Sequence, residues 1–181
     1  MAEKFEEIAV VVDQSSLGNG IYDLTLKTDK IAKAAKAGQF VSVYSNDKSK
    51  LLPRPISLCG INRDDDTIRL VYRVTGEGTG TEEFSKLVRG DKVRILGPLG
   101  NGFTVQPGKK AFLIGGGIGV PPMLQLAKDI NAGIVQTSGD EKNSGQAAME
   151  GAEIKTAVCD MNIVMGYRDE NTFLLDEFKE Q

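Results

Sequence analysis

Pro53-Arg54-Pro55-Ile56-Ser57 puts two kinds of chemistry on one short stretch. Prolines on both sides of Arg54 fix φ and hold the arginine in an extended conformation. A planar guanidinium held this way suits a phosphate group, because it donates several hydrogen bonds at once. Ser57 lies three residues on, within an apolar run, and its hydroxyl addresses a different part of any ligand lying along the chain. The plainer alternative is an edge strand carrying a surface arginine.

Two glycine-rich stretches add to this. In Gly76-Glu77-Gly78-Thr79, glycine allows close backbone approach and the hydroxyl adds a donor, although a flexible hairpin tip has the same composition. Gly115-Gly116-Gly117-Ile118-Gly119 follows the apolar run Ala111-Phe112-Leu113-Ile114 and precedes a helix-forming stretch. That is the context a dinucleotide-phosphate loop requires, and also that of a tight strand-to-helix turn with no ligand. Asp64-Asp65-Asp66 is read as a hairpin turn rather than a metal site, since acidic turn residues need no ligand.

The elements that must position these residues follow from periodicity. Residues 5–13 alternate, with Ile8, Val10 and Val12 on one side, and residues 20–27 repeat the pattern across a turn-rich connection at 15–20. Residues 32–38 are a loop or short helical turn, 39–44 a third strand and 46–50 a polar loop. Residues 55–61 and 67–74 are the fourth and fifth strands. Residues 81–88 have helical spacing with Thr81 as N-cap, and 91–96 form the sixth strand. Six short strands predict a small antiparallel barrel of Greek-key type, ending near residue 103.

The period then changes. Residues 111–114 and 162–167 are apolar runs of the kind buried on both faces of a parallel sheet. Residues 121–130 form a helix opened by two prolines, and 172–179 a second short helix. The reading is a partial α/β part over 105–181 after a barrel over 1–104. An exposed insertion falls at about 131–157, where Gln136 to Ala148 is polar and expected to be mobile.

Composition narrows the chemistry. The chain has 181 residues, 40% of them hydrophobic, and a net charge of −3, which argues against a nucleic-acid binder. No apolar run reaches the ~20 residues of a membrane span. The N-terminus is charged and lacks an apolar signal core, so a cytoplasmic location is the expectation. Histidine is absent, which excludes serine–histidine catalysis and histidine-ligated metals. Two cysteines, Cys59 and Cys159, are too few for an iron–sulfur cluster of the usual kind and are read as buried apolar residues.

Taken in order, Arg54 to Ser57, Val71-Tyr72-Arg73, Gly76 to Thr79, Gly97-Pro98-Leu99-Gly100-Asn101-Gly102-Phe103 and Gly115 to Met123 resemble the ferredoxin–NADP reductase superfamily. Within it, the chain is most similar to the branch of electron-transfer subunits of two-subunit, NAD-linked dihydroorotate dehydrogenases. The resemblance implies FAD on the barrel and NAD(H) at the glycine loop. Arg54 would pair with the pyrophosphate, with the backbone of Pro55 and Ile56 along the flavin and Ser57 near its N5. Val71, Tyr72 and Arg73 would line the ribityl or adenosine side. Gly78 and Thr79 would hold the pyrophosphate, with the helix at 81–88 aiming its amides there. Gly115, Gly116, Gly117 and Gly119 would take the nicotinamide nucleotide. Plant-type relatives stack an aromatic on the ring where Ile56 stands; that stacking is absent here, which fits the dihydroorotate-linked branch better.

Relatives run on for some further ~60–80 residues that complete the sheet and carry a cysteine-rich cluster segment. This chain is therefore expected to be C-terminally truncated, with weakened NAD binding and no cluster. The implied role is electron transfer between a nicotinamide nucleotide and a partner in pyrimidine biosynthesis. That partner would be a dihydroorotate dehydrogenase catalytic subunit or another flavin or iron–sulfur oxidoreductase subunit. The alternatives are a small subunit of a sulfide dehydrogenase or ferredoxin-dependent NADP reductase, or a flavin-binding assembly module without turnover.

Overall fold

The computed structural model describes residues 3–47, 49–106, 108–134 and 160–181. Strand β1, Phe5–Gly18, pairs with β2, Ile21–Lys27, across the two-residue turn Asn19-Gly20. Both turn residues have positive φ, 50° and 71°. That is the backbone of a primed hairpin turn, whose twist matches its strands, and Asn-Gly is the pair that adopts it most readily. The strand therefore runs past residue 13. Ser15 and Ser16 pair with Asp23 and Tyr22 instead of forming a loop, since the ladder satisfies their backbone while their side chains stay exposed.

Helix α1, Ile31–Ala34, is a single turn. Strands β3 (Phe40–Val43), β4 (Arg54–Asn62), β5 (Thr67–Arg73) and β6 (Lys92–Leu99) complete a closed antiparallel barrel in the order β1-β2-β5-β4-β3-β6. Adjacency of β2 with β5 and of β3 with β6 is the Greek-key connection expected from the sequence. Closure leaves no unpaired barrel edge.

The barrel core takes Ala9 and Val11 from β1, together with Leu24, Leu26, Val41, Leu58, Ile68, Leu70 and Ile95. The other face of β1 points outward. Ile8 is 60% exposed, and with Phe5 and Val10 it lines an open groove of about 970 Å³. Apolar residues occupy both parities of this strand, so alternation alone cannot say which set turns inward.

Helix α2 covers Gly80–Phe84, shorter than the expected 81–88 and capped two residues earlier than expected. Thr79, not Thr81, is the N-cap, and its hydroxyl accepts from Glu82 N at 3.3 Å. The Thr81 hydroxyl accepts instead from Thr75 N at 3.1 Å. Beyond Phe84 the chain continues in i→i+3 turns, with Leu87 N donating to Phe84 O at 3.0 Å.

Strands β7 (Ala111–Gly116) and β8 (Met161–Gly166) pair in parallel, in register from Ala111↔Met161 to Gly116↔Gly166. Helix α3, Pro121–Asn131, packs with Leu113 on one face, and α4, Leu175–Lys179, begins later than the expected 172. These strands are not buried on both faces, as their apolar runs suggested. Phe112, Ile114 and Val164 are all more than half exposed. A strand's apolar content reports what its family of folds buries, whereas burial needs a covering element, and none of the described residues covers this face.

The two parts share one apolar cluster. Ile21, Cys59 and Val71 of the barrel meet Leu113, Leu124, Ala127, Phe173 and Phe178. Cys59 occupies the register shift between Leu58 and Gly60 and is fully buried, and that burial pushes its thiol up to about 12. Beside it, Arg69 of β5 donates to Asp23 at 2.5–2.9 Å and to Glu177 of α4 at 2.7 and 2.8 Å, clamping α4 to the barrel. Most of the insertion expected at about 131–157, including residues 136–148, lies outside the described residues, as does Cys159.

Candidate functional site

Arg54 opens β4 and pairs with Val43 of β3. Along β4, Ile56 and Leu58 enter the barrel core while Pro55 and Ser57 are exposed. This is the strand's two-residue alternation, and it puts the Ser57 hydroxyl on the outer face. The Ile56 side chain is thus turned away from any ligand on the outer face, to which only its backbone could contribute.

Arg54 leans over the start of α2. A Cβ built on Gly80 would lie 3.4 Å from both Cγ and Nε of Arg54, so the arginine stem runs close over this glycine. Its Nε is buried and has no hydrogen-bond partner, and the guanidinium makes no ion pair among the described residues. Asp66 Oδ1 also lacks a hydrogen bond, but Lys33 Nζ stands 3.3 Å away and offsets its charge. Among the described residues, nothing offsets Arg54 in that way. A buried, unpartnered donor on a cation costs about 1–3 kcal/mol or more, and an anionic ligand at this point would remove that cost.

The segment before Arg54 is tied to α2 as well. Glu83 accepts from the Ser45 hydroxyl in a short bond, from Asn46 N at 2.7 Å and from Lys50 Nζ at 3.3 Å. This strap fixes the β3–β4 connection against the helix whose first residue touches Arg54.

Gly76 and Gly78 have positive φ, 140° and 71°, and a Cβ on either would meet nothing within 4 Å. The space around them is open, as a cradle for a phosphate must be. Thr79 is engaged in the turn itself, its hydroxyl donating to Gly76 O at 2.7 Å. The Gly78 N–H donates to Glu82 Oε2 at 2.6 Å. The helix that follows has only five residues, too few for its N-terminal end to be the main source of attraction for an anion, in contrast to the role expected of the helix at 81–88.

Val71 and Tyr72 stand apart from the rest. Both side chains are buried, Val71 in the cluster shared with the α/β part and Tyr72 in the barrel core. Tyr72 stacks on Tyr22, meets Phe84 edge-on and donates to Gln14 Oε1 at 3.0 Å. Gln14 Nε2 in turn donates to the carbonyls of Phe84 and Leu87, so this chain of contacts holds α2 in place. Burial pushes the Tyr72 phenol well above its ordinary range. A ligand reaching residues 71–72 would meet backbone, not side chains. Arg73, the next residue, is half-buried, makes no side-chain hydrogen bond among the described residues, and lines a crevice with Gly117, Tyr167 and Arg168.

The glycine loop divides into two kinds of position. A Cβ at Gly115 would lie 2.9 Å from Met165 Sδ and 3.1 Å from Gly119 O, so that glycine is required by packing. Gly116, Gly117 and Gly119 face open space. Pro121 and Pro122 open α3 and remove two amides from its first turn. Donors for a phosphate must therefore come from the turn Gly117–Gly119. Gly115→Ala is expected to destabilise the protein by about 1–3 kcal/mol through overpacking. Gly116→Ala, whose φ is −135°, is expected to stay within about 0.5 kcal/mol. Urea unfolding of the two variants checks this, and equal losses would show that both glycines are packing residues.

Sequence reading missed Gln14, Arg69, Glu82, Glu83 and Gln125. Gln125 is buried on α3, accepts from Ile61 N at 2.7 Å and donates to Asp129 at 2.7 Å, pinning α3 to the barrel. The available signal was polarity at apolar positions, as in Leu124-Gln125-Leu126, and the spacing Thr79-Gly80-Thr81-Glu82, which is that of a capping box. Among the described residues, no helix is long and apolar enough to cross a membrane, and no cluster of metal-ligating side chains is found.

Residues 9–103 match the family described as "Oxidoreductase FAD-binding domain". The dihydroorotate dehydrogenase B (NAD(+)) electron transfer subunit of Enterococcus faecalis is 42% identical over 132 residues, 71% of this chain and 49% of that protein. Its namesake from Streptococcus mutans is 45% identical over 128 residues, 69% of this chain and 48% of that protein. The chain thus spans about half the length of the curated relatives it matches. A solved structure of an NADH-dependent reduced ferredoxin-NADP oxidoreductase aligns at a TM-score of 0.72, covering 96% of this chain and 54% of that one. At 23% identity that likeness shows the fold alone.

Proposed function

The chain belongs to the oxidoreductase FAD-binding domain family, and from that we propose that it is a flavin-binding electron-transfer subunit of the dihydroorotate dehydrogenase B type. It would pass electrons between a nicotinamide nucleotide and a partner dehydrogenase of pyrimidine biosynthesis, in the cytoplasm. The observation that carries this reading is the buried, unpartnered Arg54 Nε beside the open turn at Gly76 and Gly78. Identity above 40% to two electron transfer subunits selects the branch.

On this reading residues 1–104 form the FAD domain and 105–181 the nucleotide-binding part. The residues present fit FAD. Arg54 would neutralise the diphosphate and Gly78 would let the backbone approach it. Pro55 and Ile56 would offer backbone along the ring, and Ser57 an exposed hydroxyl. FAD, when bound, supplies an acceptor for a hydride and a donor of electrons, while the protein supplies orientation and electrostatics. Gly116, Gly117 and Gly119 would approach the nicotinamide nucleotide, with Arg73 across the crevice.

The test is the visible spectrum of the purified chain after FAD loading, before and after NADH under anaerobic conditions. A bound flavin spectrum is expected, bleached completely by dithionite. Bleaching by NADH requires its ring within about 3–3.5 Å of the flavin. Its rate by stopped flow reads how far the β7–β8 part positions that ring. A protein that takes up no flavin would sink the assignment.

A further inference from the structure

Glu82 brings negative charge into the turn that the proposed diphosphate would use. In a capping box the acid three residues after the cap returns to the cap's own amide. In Thr79-Gly80-Thr81-Glu82 the carboxylate reaches one residue further back, and Glu82 Oε2 accepts from Gly78 N–H at 2.6 Å. Its other oxygen accepts from Lys86 Nζ at 2.8 Å. Lys86, followed by the Gly78 amide, holds the Glu82 carboxyl below its usual range, so it is ionised at neutral pH.

A carboxylate oxygen and a phosphate oxygen are acceptors of the same kind, and one N–H cannot serve both with good geometry. Resting on the FAD reading above, we propose that Glu82 is an internal competitor for the diphosphate, holding the Gly78 amide until a ligand displaces it. The geometry makes the exchange easy. A Cβ on Gly78 would meet nothing within 4 Å, and Lys86 already shares the carboxylate, so Glu82 keeps a charge partner when it leaves the amide. Across the turn, Arg54 lies against Gly80 with a free Nε, supplying attraction that Glu82 does not use. Glu83 is unlike Glu82 in this respect, since Ser45, Asn46 and Lys50 hold it away from the Gly78 amide.

The consequence is a flavin affinity held below what the turn could give. FAD is titrated into flavin-free protein, and binding is followed by flavin fluorescence. Glu82→Gln keeps the side-chain shape and removes the charge, and is expected to bind FAD about fivefold more tightly at low salt, the gain shrinking as salt rises. Glu82→Ala serves as the second variant and is expected to bind more tightly as well. Melting of both flavin-free variants separates affinity from fold, because a purely structural cap predicts a lower Tm together with weaker binding. Equal or weaker FAD binding by Glu82→Gln would overturn the competitor role while leaving the flavin reading standing. Absence of FAD binding by the parent protein would overturn both.

Discussion

Arg54→Ala is expected to cost the protein about tenfold to a hundredfold in FAD affinity. The motive is a guanidinium whose Nε is buried without a partner and whose stem lies 3.4 Å from where a Cβ on Gly80 would stand. A charge-assisted hydrogen bond contributes about 1.5–3 kcal/mol, and each 1.4 kcal/mol is about a factor of ten. The flavin-free variant should be no less stable than the parent, because the change removes an unsatisfied donor rather than a made bond. Dialysis followed by flavin-to-protein ratios measures the loss, with Arg89→Ala, an exposed arginine, as the control. Equal ratios for Arg54→Ala and the control would remove Arg54 from the site.

Arg69→Met is expected to be the most destabilising of the polar substitutions. Arg69 satisfies two carboxylates, Asp23 on β2 and Glu177 on α4, in a half-buried position. Removing it leaves Asp23 without a cation among the described residues and Glu177 with only Lys128, beside the apolar cluster that joins the two parts. Breaking a buried pair typically costs about 3–5 kcal/mol, and partial exposure reduces this to about 2 kcal/mol. The loss should appear in urea unfolding, with protection falling first in α4. Lys128 stands 3.6 Å from Glu177 but makes a weaker substitute for the planar fork.

The same network sets a pH dependence. Arg69 and, secondarily, Lys128 hold the Glu177 carboxyl below its usual value. A depressed folded-state pKa means the unfolded chain binds the proton more readily. The stabilisation is thus present above the ordinary glutamate range, near pH 4.5, and is lost as pH falls through the folded value. In Glu177→Gln that slope of stability against pH should flatten. An unchanged slope would assign the acid sensitivity to other carboxylates.

Much of the architecture is local in origin and could be read from the residues. Alternation in 20–27 and 67–74 marks strands because neighbouring side chains must leave a pleat on opposite faces. The proline brace around Arg54 dictates an extended backbone whatever surrounds it. The change from alternation to a continuous apolar run at 111–114 announces a parallel strand, and glycines between it and Pro121 place the turn. Asn19-Gly20 is equally local, and its hairpin could have been recognised from that dipeptide.

Other features depend on residues far apart in the chain, and no window of sequence contains them. Whether Ile8 and Val10 or Ala9 and Val11 enter the core is settled by how β1 pairs with β6 and β2 when the barrel closes. The exposure of Phe112, Ile114 and Val164 follows from helices lying on one face of β7 and β8. That Gly115 is a packing residue and Gly116 an open one depends on Met165, fifty positions later. Arg69 reads as an outward strand residue until Glu177 folds back onto it. The sequence by itself determined which side chains carry donors suited to a phosphate and where most of the strands lie, because those properties belong to side-chain chemistry and backbone sterics. Only the tertiary structure decided which donors are already spoken for, as Glu82 does at Gly78, and which are left over, as at Arg54 Nε. Satisfaction of a hydrogen-bonding group is a property of its neighbours in space.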